Sequence, residues 1–292
     1  MRIFIGYGSY PHTRQALIDA GAEIVDSLEQ AEGFVFTQTP GKDFPEQLPE
    51  SIKWVQFPMA GINQYFDRGL IDSSRRWSNA SGVYGMQVAE SALAFMLALL
   101  HQHAVMAAAQ SWQVRPQVDR DSRWLRGQTV VIVGMGGIGK DLAKLLEPFG
   151  CTIIGVGRGD DLLSALPQAD HVVLAVPLTK DTRKMFGKEH FAAMKESAFM
   201  INVARGEVVD TDALVEALDT KAIAGAGLDV TDPEPLPDEH PLWGRDNVII
   251  TPHTANTLPS MDPLLAPVVA ANYTALVNGE RMPTEVEVSK GY

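Results

Sequence analysis

The chain has a single cysteine, Cys151, in 292 residues. One thiol makes neither an internal disulfide nor a Cys-x-x-Cys metal site. Cys151 lies in FGCTIIGV, where a buried core thiol is expected. Positive charge is also short, with 24 Lys and Arg against 36 Asp and Glu. No basic block occurs, and phosphate-backbone binding needs clustered Lys and Arg, so no nucleic-acid partner is expected. The longest apolar run, SALAFMLALL at 91–100, stops at His101-Gln102-His103 and is too short for a bilayer. The start, MRIFIGYG, reads as a strand and lacks the charged and long apolar regions of a signal peptide. A soluble cytoplasmic protein without a membrane partner is expected. HExxH, GxSxG and GKS/T motifs are absent, as are short-period repeats. His101 and His103 lie two apart on a helical stretch and are expected to diverge, so no metal site is expected.

What is present is apolar patterning long enough for two domains. RIFIG (2–6), AEIV (22–25), GFVFT (33–37) and IKWVQF (52–57) read as strands, with helical segments such as 12–20 between them. After residue 128 the pattern restarts as TVVIVG, CTIIGV, HVVLAV, AFMINV, IAGAGLDV and NVIITP. Such Val/Ile/Leu runs, separated by helical segments, read as buried parallel strands. The fold class is therefore α/β, with two α/β units. Residues 86–110 form one long helical pattern without Gly or Pro, and 259–278 is helical after Pro259. A long helix on each side of the second unit implies that the chain returns to the first. The boundaries expected are 1–95 with 267–292, and 96–266. Trp54 in IKWVQF reads as a core residue, with a place lining a cleft as the alternative.

Gly134, Gly136 and Gly139 form G-x-G-x-x-G directly after the run TVVIV and before the helical KDLAKLLEPF. In a strand–turn–helix unit the first glycine allows the turn. The second admits a pyrophosphate to the backbone, and the third lets helix and strand approach. The helix N-terminus, with Gly137 and Ile138, offers free N–H groups to the anion. A dinucleotide site is expected; the alternative is a tight turn alone. The second strand ends in Gly157-Arg158-Gly159-Asp160-Asp161. NAD sites place a carboxylate at the strand end to hold the ribose 2′-OH. Here Gly157 stands there and Arg158 follows, a guanidinium suited to a 2′-phosphate. NADP(H) is favoured over NAD(H). Against this, Asp160 and Asp161 are placed to bind the ribose or to cap the next helix.

Three further segments put charge just beyond apolar strands: Arg205 in INVARGEVVD, Asp229 and Glu234 in GAGLDVTDPEPLP, and His253 in IITPHTAN. Open α/β sheets bind ligands at the carboxyl ends of their strands.

With GMGGIG, VPLT (176–179), NVARG, LDVTDPEP and TPHTA in this order, the chain resembles the D-isomer-specific 2-hydroxyacid dehydrogenase family over essentially its whole length. The resemblance implies two Rossmann-like domains, one flavodoxin-like and one doubly wound and NAD(P)-binding, with the active site in the cleft. It implies Arg205, Glu234 and His253 as the catalytic trio. His253 would donate the proton to a keto oxygen. Glu234 would hold the other imidazole nitrogen, and Arg205 would bind the substrate carboxylate. FPMAGIN (57–63) matches a loop whose amides hold that carboxylate, so Met59, Ala60 and Gly61 are substrate-binding candidates. Val176 and Pro177 match a loop beside the adenosine. Val203, Ala204 and Asp229 match the cofactor side, Asp229 near the nicotinamide amide. A homodimer pairing through the Met-rich helix at 86–106 is also implied.

The chain departs from the family pattern at Asn63, where an Asp is common, and at Ala175, where a His often precedes VPLT. The stretch from Arg158 to HVVLAV is short, which trims the adenine side. The activity expected is reduction of a small 2-keto acid, of the glyoxylate or hydroxypyruvate type. No further domain is expected after residue 292, and FPMAGIN is poor in cations. Both weigh against phosphoglycerate as the substrate. A non-catalytic NAD(H)-sensing protein of this fold is the rival from another class. Formate oxidation is a second rival, but it releases no hydroxyl proton and would not need the His–Glu pair.

Overall fold

The apolar runs form parallel strands in two separate sheets. The computed structural model describes residues 1–6, 8–37 and 43–290. By contact the chain falls into two units, residues 1–84 with 257–292, and residues 85–256.

The first unit contains β1 (Arg2–Ile5), β2 (Glu23–Val25), β3 (Gly33–Val35), β4 (Trp54–Gln56) and β5 (Arg76–Ser78). They pair in parallel in the order β2-β1-β3-β4-β5. This is the flavodoxin-like winding, in which the strand order reverses beside β1. Helices α1 (Pro11–Asp19) and α2 (Asn63–Asp67) belong to it. Strand β5 has no apolar run and was not expected. It forms through tertiary partners: Trp77 is buried with its ring stacked on Phe57 at 6.0 Å, and its indole N–H donates to the Asp72 carbonyl at 2.8 Å. Trp54 is fully buried and donates to Ser78 Oγ at 2.8 Å, a core position.

The second unit contains β6 (Thr129–Val133), β7 (Thr152–Val156), β8 (His171–Leu174), β9 (Phe199–Asn202), β10 (Gly225–Leu228) and β11 (Val248–Ile250). All pairs are parallel, in the order β11-β10-β9-β8-β6-β7. Its helices are α3 (Gly85–Leu100), α4 (His103–Ala109), α5 (Arg115–Asp121), α6 (Gly137–Leu146), α7 (Leu162–Ala165), α8 (Lys188–Ala193) and α9 (Thr211–Asp219). Strand β7 is an edge of this sheet, and only the short α7 and one 3-10 turn lie between it and β8. Cys151, just before β7, is half-buried. Its thiol donates to the Leu125 carbonyl at 3.4 Å, and burial pushes its pKa up.

The single helix expected over 86–110 is two helices, α3 and α4, bent by 64°. In a continuous helix the Leu100 carbonyl would accept from the amide four residues on. Instead it accepts from Arg123 N at 2.9 Å. Gln102 takes a left-handed backbone (φ 57°) and returns its side-chain amide to the Leu99 carbonyl at 3.0 Å. The bend also corrects the expectation for His101 and His103, whose rings meet edge to face at 5.7 Å. Among the described residues no single helix is long and apolar enough to cross a membrane.

Helix α10 (Leu258–Val277) returns the chain to the first unit and packs on α1. Asn272 on it donates to Gln56 Oε1 at 2.7 Å, and beyond it Glu285 pairs with Arg76 at 2.6 Å. The boundaries expected from sequence, 95/96 and 266/267, lie inside α3 and α10. Contact divides the chain near the starts of those helices instead.

Candidate active site

The three motif glycines have three different surroundings. Gly134 ends β6 with φ +102°, a backbone that L side chains rarely adopt, and a Cβ there would lie 2.6 Å from the Ala175 carbonyl oxygen. A Cβ on Gly139, in the first turn of α6, would run into the Gly134 carbonyl. Gly136 differs, because a Cβ there would meet nothing within 4 Å. It is the N-cap of α6 and no side chain caps the helix. Gly136 and Gly137 are exposed, with Ile138 half-buried behind them. Space at the middle glycine and an uncapped helix N-terminus are what an anionic pyrophosphate requires, so this turn fits a dinucleotide. Val176, next to Pro177, lies against Gly134. The Pro177 carbonyl accepts from Thr182 Oγ1 at 2.7 Å.

At the end of β7 the two alternatives for the aspartates separate. Asp160 Oδ2 accepts from Gly157 N at 2.7 Å, closing the local turn. Asp161 Oδ1 accepts from Ser164 N at 3.2 Å and caps α7. Both carboxylates therefore have local work. Arg158 is exposed and makes no ion pair among the described residues.

Strand β9 ends at Asn202, and Val203, Ala204 and Arg205 follow. Val203 and Ala204 are buried, and Val203 N donates to the Leu174 carbonyl at 3.2 Å. The Arg205 guanidinium folds back, Nη1 donating to the Ala204 carbonyl at 2.7 Å. Burial lowers the Arg205 pKa, while the charges of Glu234 and Glu207 push it up. Gly206 has no room for a side chain, since a Cβ would run into the Thr231 carbonyl. The Arg205 loop and the segment leading to Glu234 therefore touch backbone to backbone.

Asp229 follows β10 and is buried. Its carboxylate holds the loop that carries His253. Oδ1 accepts from Thr251 Oγ1 at 2.6 Å and from Thr254 N at 2.9 Å, and Oδ2 accepts from Ala255 N at 3.1 Å. The Asp229 carbonyl accepts from His253 N at 2.8 Å. Thus fixed, His253 has φ +54°, sparsely populated for a residue with a side chain. His253 Nδ1 and Glu234 Oε1 lie 2.7 Å apart, with both side chains nearly half exposed. Nε2 has no partner among the described residues. Arg205, Glu234 and His253 are thus brought to one edge of one sheet. Glu234 meets His253 by a hydrogen bond and Arg205 by charge.

Met59, Ala60 and Gly61 lie in the first unit, in the loop after β4. The carbonyls of Pro58, Met59 and Ala60 accept from Tyr84 Oη (2.8 Å), Ala80 N (3.1 Å) and Asn79 Nδ2 (3.0 Å). Among the described residues nothing accepts from the Met59, Ala60 or Gly61 amides. Burial raises the Tyr84 hydroxyl most, with Tyr10 and Asp262 adding to it.

One residue that sequence reasoning passed over is Asn202, almost fully buried at the end of β9. Its signal was a polar side chain closing an apolar strand, since a buried polar group must find partners.

The family model for the NAD binding domain of D-isomer specific 2-hydroxyacid dehydrogenases matches residues 92–255. The chain is 44% identical over 301 residues to an uncharacterized protein from the proB 3′ region of Corynebacterium melassecola, covering 97% of this chain and 98% of that one. It is 40% identical over 176 residues to a glyoxylate reductase of Thermofilum pendens, covering 56% of this chain and 52% of the reductase. The chain thus spans about half the length of that relative. The structure is similar to a D-isomer specific 2-hydroxyacid dehydrogenase from Xanthobacter autotrophicus Py2, solved with NADPH and MES. The TM-score is 0.81 at 25% identity, covering all of both chains.

Proposed function

The chain belongs to the D-isomer specific 2-hydroxyacid dehydrogenase family of NAD(P)-dependent oxidoreductases, and from that premise we propose that it reduces glyoxylate or hydroxypyruvate to the D-2-hydroxy acid. The observation that carries this reading is the Glu234–His253 pair at 2.7 Å beside the half-buried Arg205. Reduction of a keto acid delivers hydride to the carbonyl carbon and a proton to its oxygen. The reduced nicotinamide, when bound, supplies the hydride. His253 donates the proton from Nε2, the nitrogen turned away from Glu234. Glu234 fixes the imidazole through Nδ1 and so sets the direction in which Nε2 points. Arg205 binds the substrate carboxylate and polarises the carbonyl. In the first unit, the amides of Met59, Ala60 and Gly61 are the candidates for holding a substrate carboxylate.

The cofactor is assigned to Gly134, Gly136, Gly137, Ile138 and Gly139, with Val176 and Pro177 on the adenosine side. Val203, Ala204 and Asp229 serve the nicotinamide side. Asp229 does so from a carboxylate that also anchors the His253 loop. NADP(H) is preferred in this reading, because Arg158 has no acidic partner while Asp160 and Asp161 are engaged locally. The NADPH in the Xanthobacter relative supports the same choice. The enzyme acts in the cytoplasm as a homodimer, paired around α3 and α4, where Met86 and Met106 are exposed.

The experiment is steady-state oxidation of NADPH, and separately NADH, against 2-keto acids from glyoxylate and hydroxypyruvate to pyruvate, branched and aromatic acids. Turnover of glyoxylate or hydroxypyruvate with NADPH is the expected result. Tight cofactor binding with no turnover across the panel would overturn the reading in favour of a sensor.

A further inference from the structure

Asn202 is nearly as buried as the strand it ends, at 1% exposure, yet its side-chain oxygen, its side-chain nitrogen and its carbonyl are all engaged. Its side-chain Oδ1 accepts from Ala204 N at 3.0 Å. Its Nδ2 donates to the Arg205 carbonyl at 3.0 Å. Its main-chain carbonyl accepts from Asp229 N at 3.0 Å, one step beyond the Asn202–Leu228 register of β9 and β10.

These bonds converge on the residues that carry the guanidinium. The Arg205 side chain latches onto the Ala204 carbonyl, and the Ala204 N–H is held by Asn202. The next carbonyl, that of Arg205, is held by Asn202 Nδ2 and by Val208 N at 3.2 Å. One buried amide thus grips both sides of the segment on which the guanidinium rests. Through its own carbonyl the same residue meets Asp229, whose carboxylate fixes the His253 loop. The Arg205 and His253 loops therefore hang from one hydrogen-bonded pair at the ends of adjacent strands.

We infer that Asn202 is a positioning residue, which holds the Arg205 guanidinium where it receives the substrate carboxylate. The inference rests on the role given to Arg205 above. An amide is suited to this work because it donates and accepts at once. An aspartate of the same size keeps the bond from Ala204 N but sets a carboxylate oxygen against the Arg205 carbonyl.

The test is a double-mutant cycle on the full chain with NADPH and glyoxylate: Asn202→Ala, Arg205→Ala and the two together. Arg205→Ala is expected to lower kcat/KM about a hundredfold or more. Asn202→Ala is expected to lower it about tenfold, mostly through KM for glyoxylate, with the pH profile unchanged. In the Arg205→Ala background the Asn202 change is expected to add less than about a twofold loss, because its effect passes through the guanidinium. Should the alanine variant fail to fold, Asn202→Asp carries the same cycle. Oxalate binding to the NADPH-loaded protein then gives a readout without turnover. Full activity in Asn202→Ala, or a loss that multiplies with that of Arg205→Ala, would overturn this inference alone. Full activity in Arg205→Ala would overturn the proposed function and this inference with it.

Discussion

The two edges of the second sheet treat polar groups in opposite ways, although the same strands end on both. At the amino edge His171 starts β8 fully buried, stacked on Phe199 at 5.7 Å. Its Nε2 meets Gln128 Oε1 at 2.7 Å, and Nδ1 has no partner among the described residues. Burial pushes its pKa down to about 4. Beside it Asp170 accepts from Lys195 Nζ and Thr129 N, both at 2.8 Å. Burial pushes the Asp170 pKa up, but these hydrogen bonds outweigh it and hold the carboxyl below its usual range. At the carboxyl edge His253 and Glu234 form a pair of similar length but stay nearly half exposed. At the amino edge the histidine is buried and the carboxylate is paired. The carboxyl edge is built from loops whose backbone is fixed by buried groups while its ionisable side chains stay within reach of a ligand. Two histidines in one sheet thus differ in role because of solvation and anchoring rather than residue type.

The sharpest way to break this contrast is at the open edge. His253→Ala should lower the NADPH-dependent rate with glyoxylate by roughly two to four orders of magnitude, the span usual for losing a general acid. NADPH binding, read by fluorescence, should be unchanged. A variant that keeps its rate would put the proton donor elsewhere.

At the amino edge the effect falls on stability. His171 stays neutral in the folded protein down to about pH 4, whereas an unfolded histidine titrates near 6.5. Between those values the unfolded chain binds more protons, so stability falls as the pH drops from 6.5 towards 4, by up to about 1.4 kcal/mol per pH unit. Above pH 6.5 the group adds no slope. His171→Gln should flatten that part of the curve, as measured by urea midpoints from pH 4 to 7. An unchanged curve would mean that His171 is not the group being charged on unfolding.

A smaller effect sharpens the contrast along the open edge itself. Arg158→Ala should raise KM for NADPH about tenfold, the usual scale of one charge-assisted pair, and leave KM for NADH nearly unchanged. Equal changes for both cofactors would make Arg158 a bystander and reopen a ribose role for Asp160 or Asp161.

Much of this was legible in the sequence, for identifiable reasons. Ten of the strands lie in apolar runs of the sequence, the pattern of parallel strands packed between helices. Strand β5 was not legible. Arg76-Trp77-Ser78 becomes a strand only where Phe57, Gln56 and Glu285 receive it. The break after α3 was hidden for a similar reason, since a residue distant in sequence, Arg123, takes the Leu100 carbonyl. At the site, the motifs led to Arg205, Glu234 and His253, which the structure gathers at one edge. The groups that fix their loops leave no periodic trace: Asn202 bonds within its own loop, and the Asp229 carboxylate bonds across to another. The separate local partners of Asp160 and Asp161 were not legible in the sequence either.

The division of the chain sets an order for its own making. The second unit is one continuous stretch, residues 85–256, while the first is completed only by residues 257–292. Strand β5 closes the first sheet by Ser78, but helix α10, which packs on α1, begins at Leu258. At ribosomal speeds of 5–20 residues per second, that interval lasts roughly 10 to 40 seconds. During it the nascent first unit lacks Leu265, Val269 and Tyr273, which belong to the core containing Ile3, Leu17 and Trp54. The inserted unit can therefore finish first, leaving the opening third of the polypeptide to wait with apolar surface uncovered. This early segment is where chaperone demand and misassembly should concentrate during synthesis.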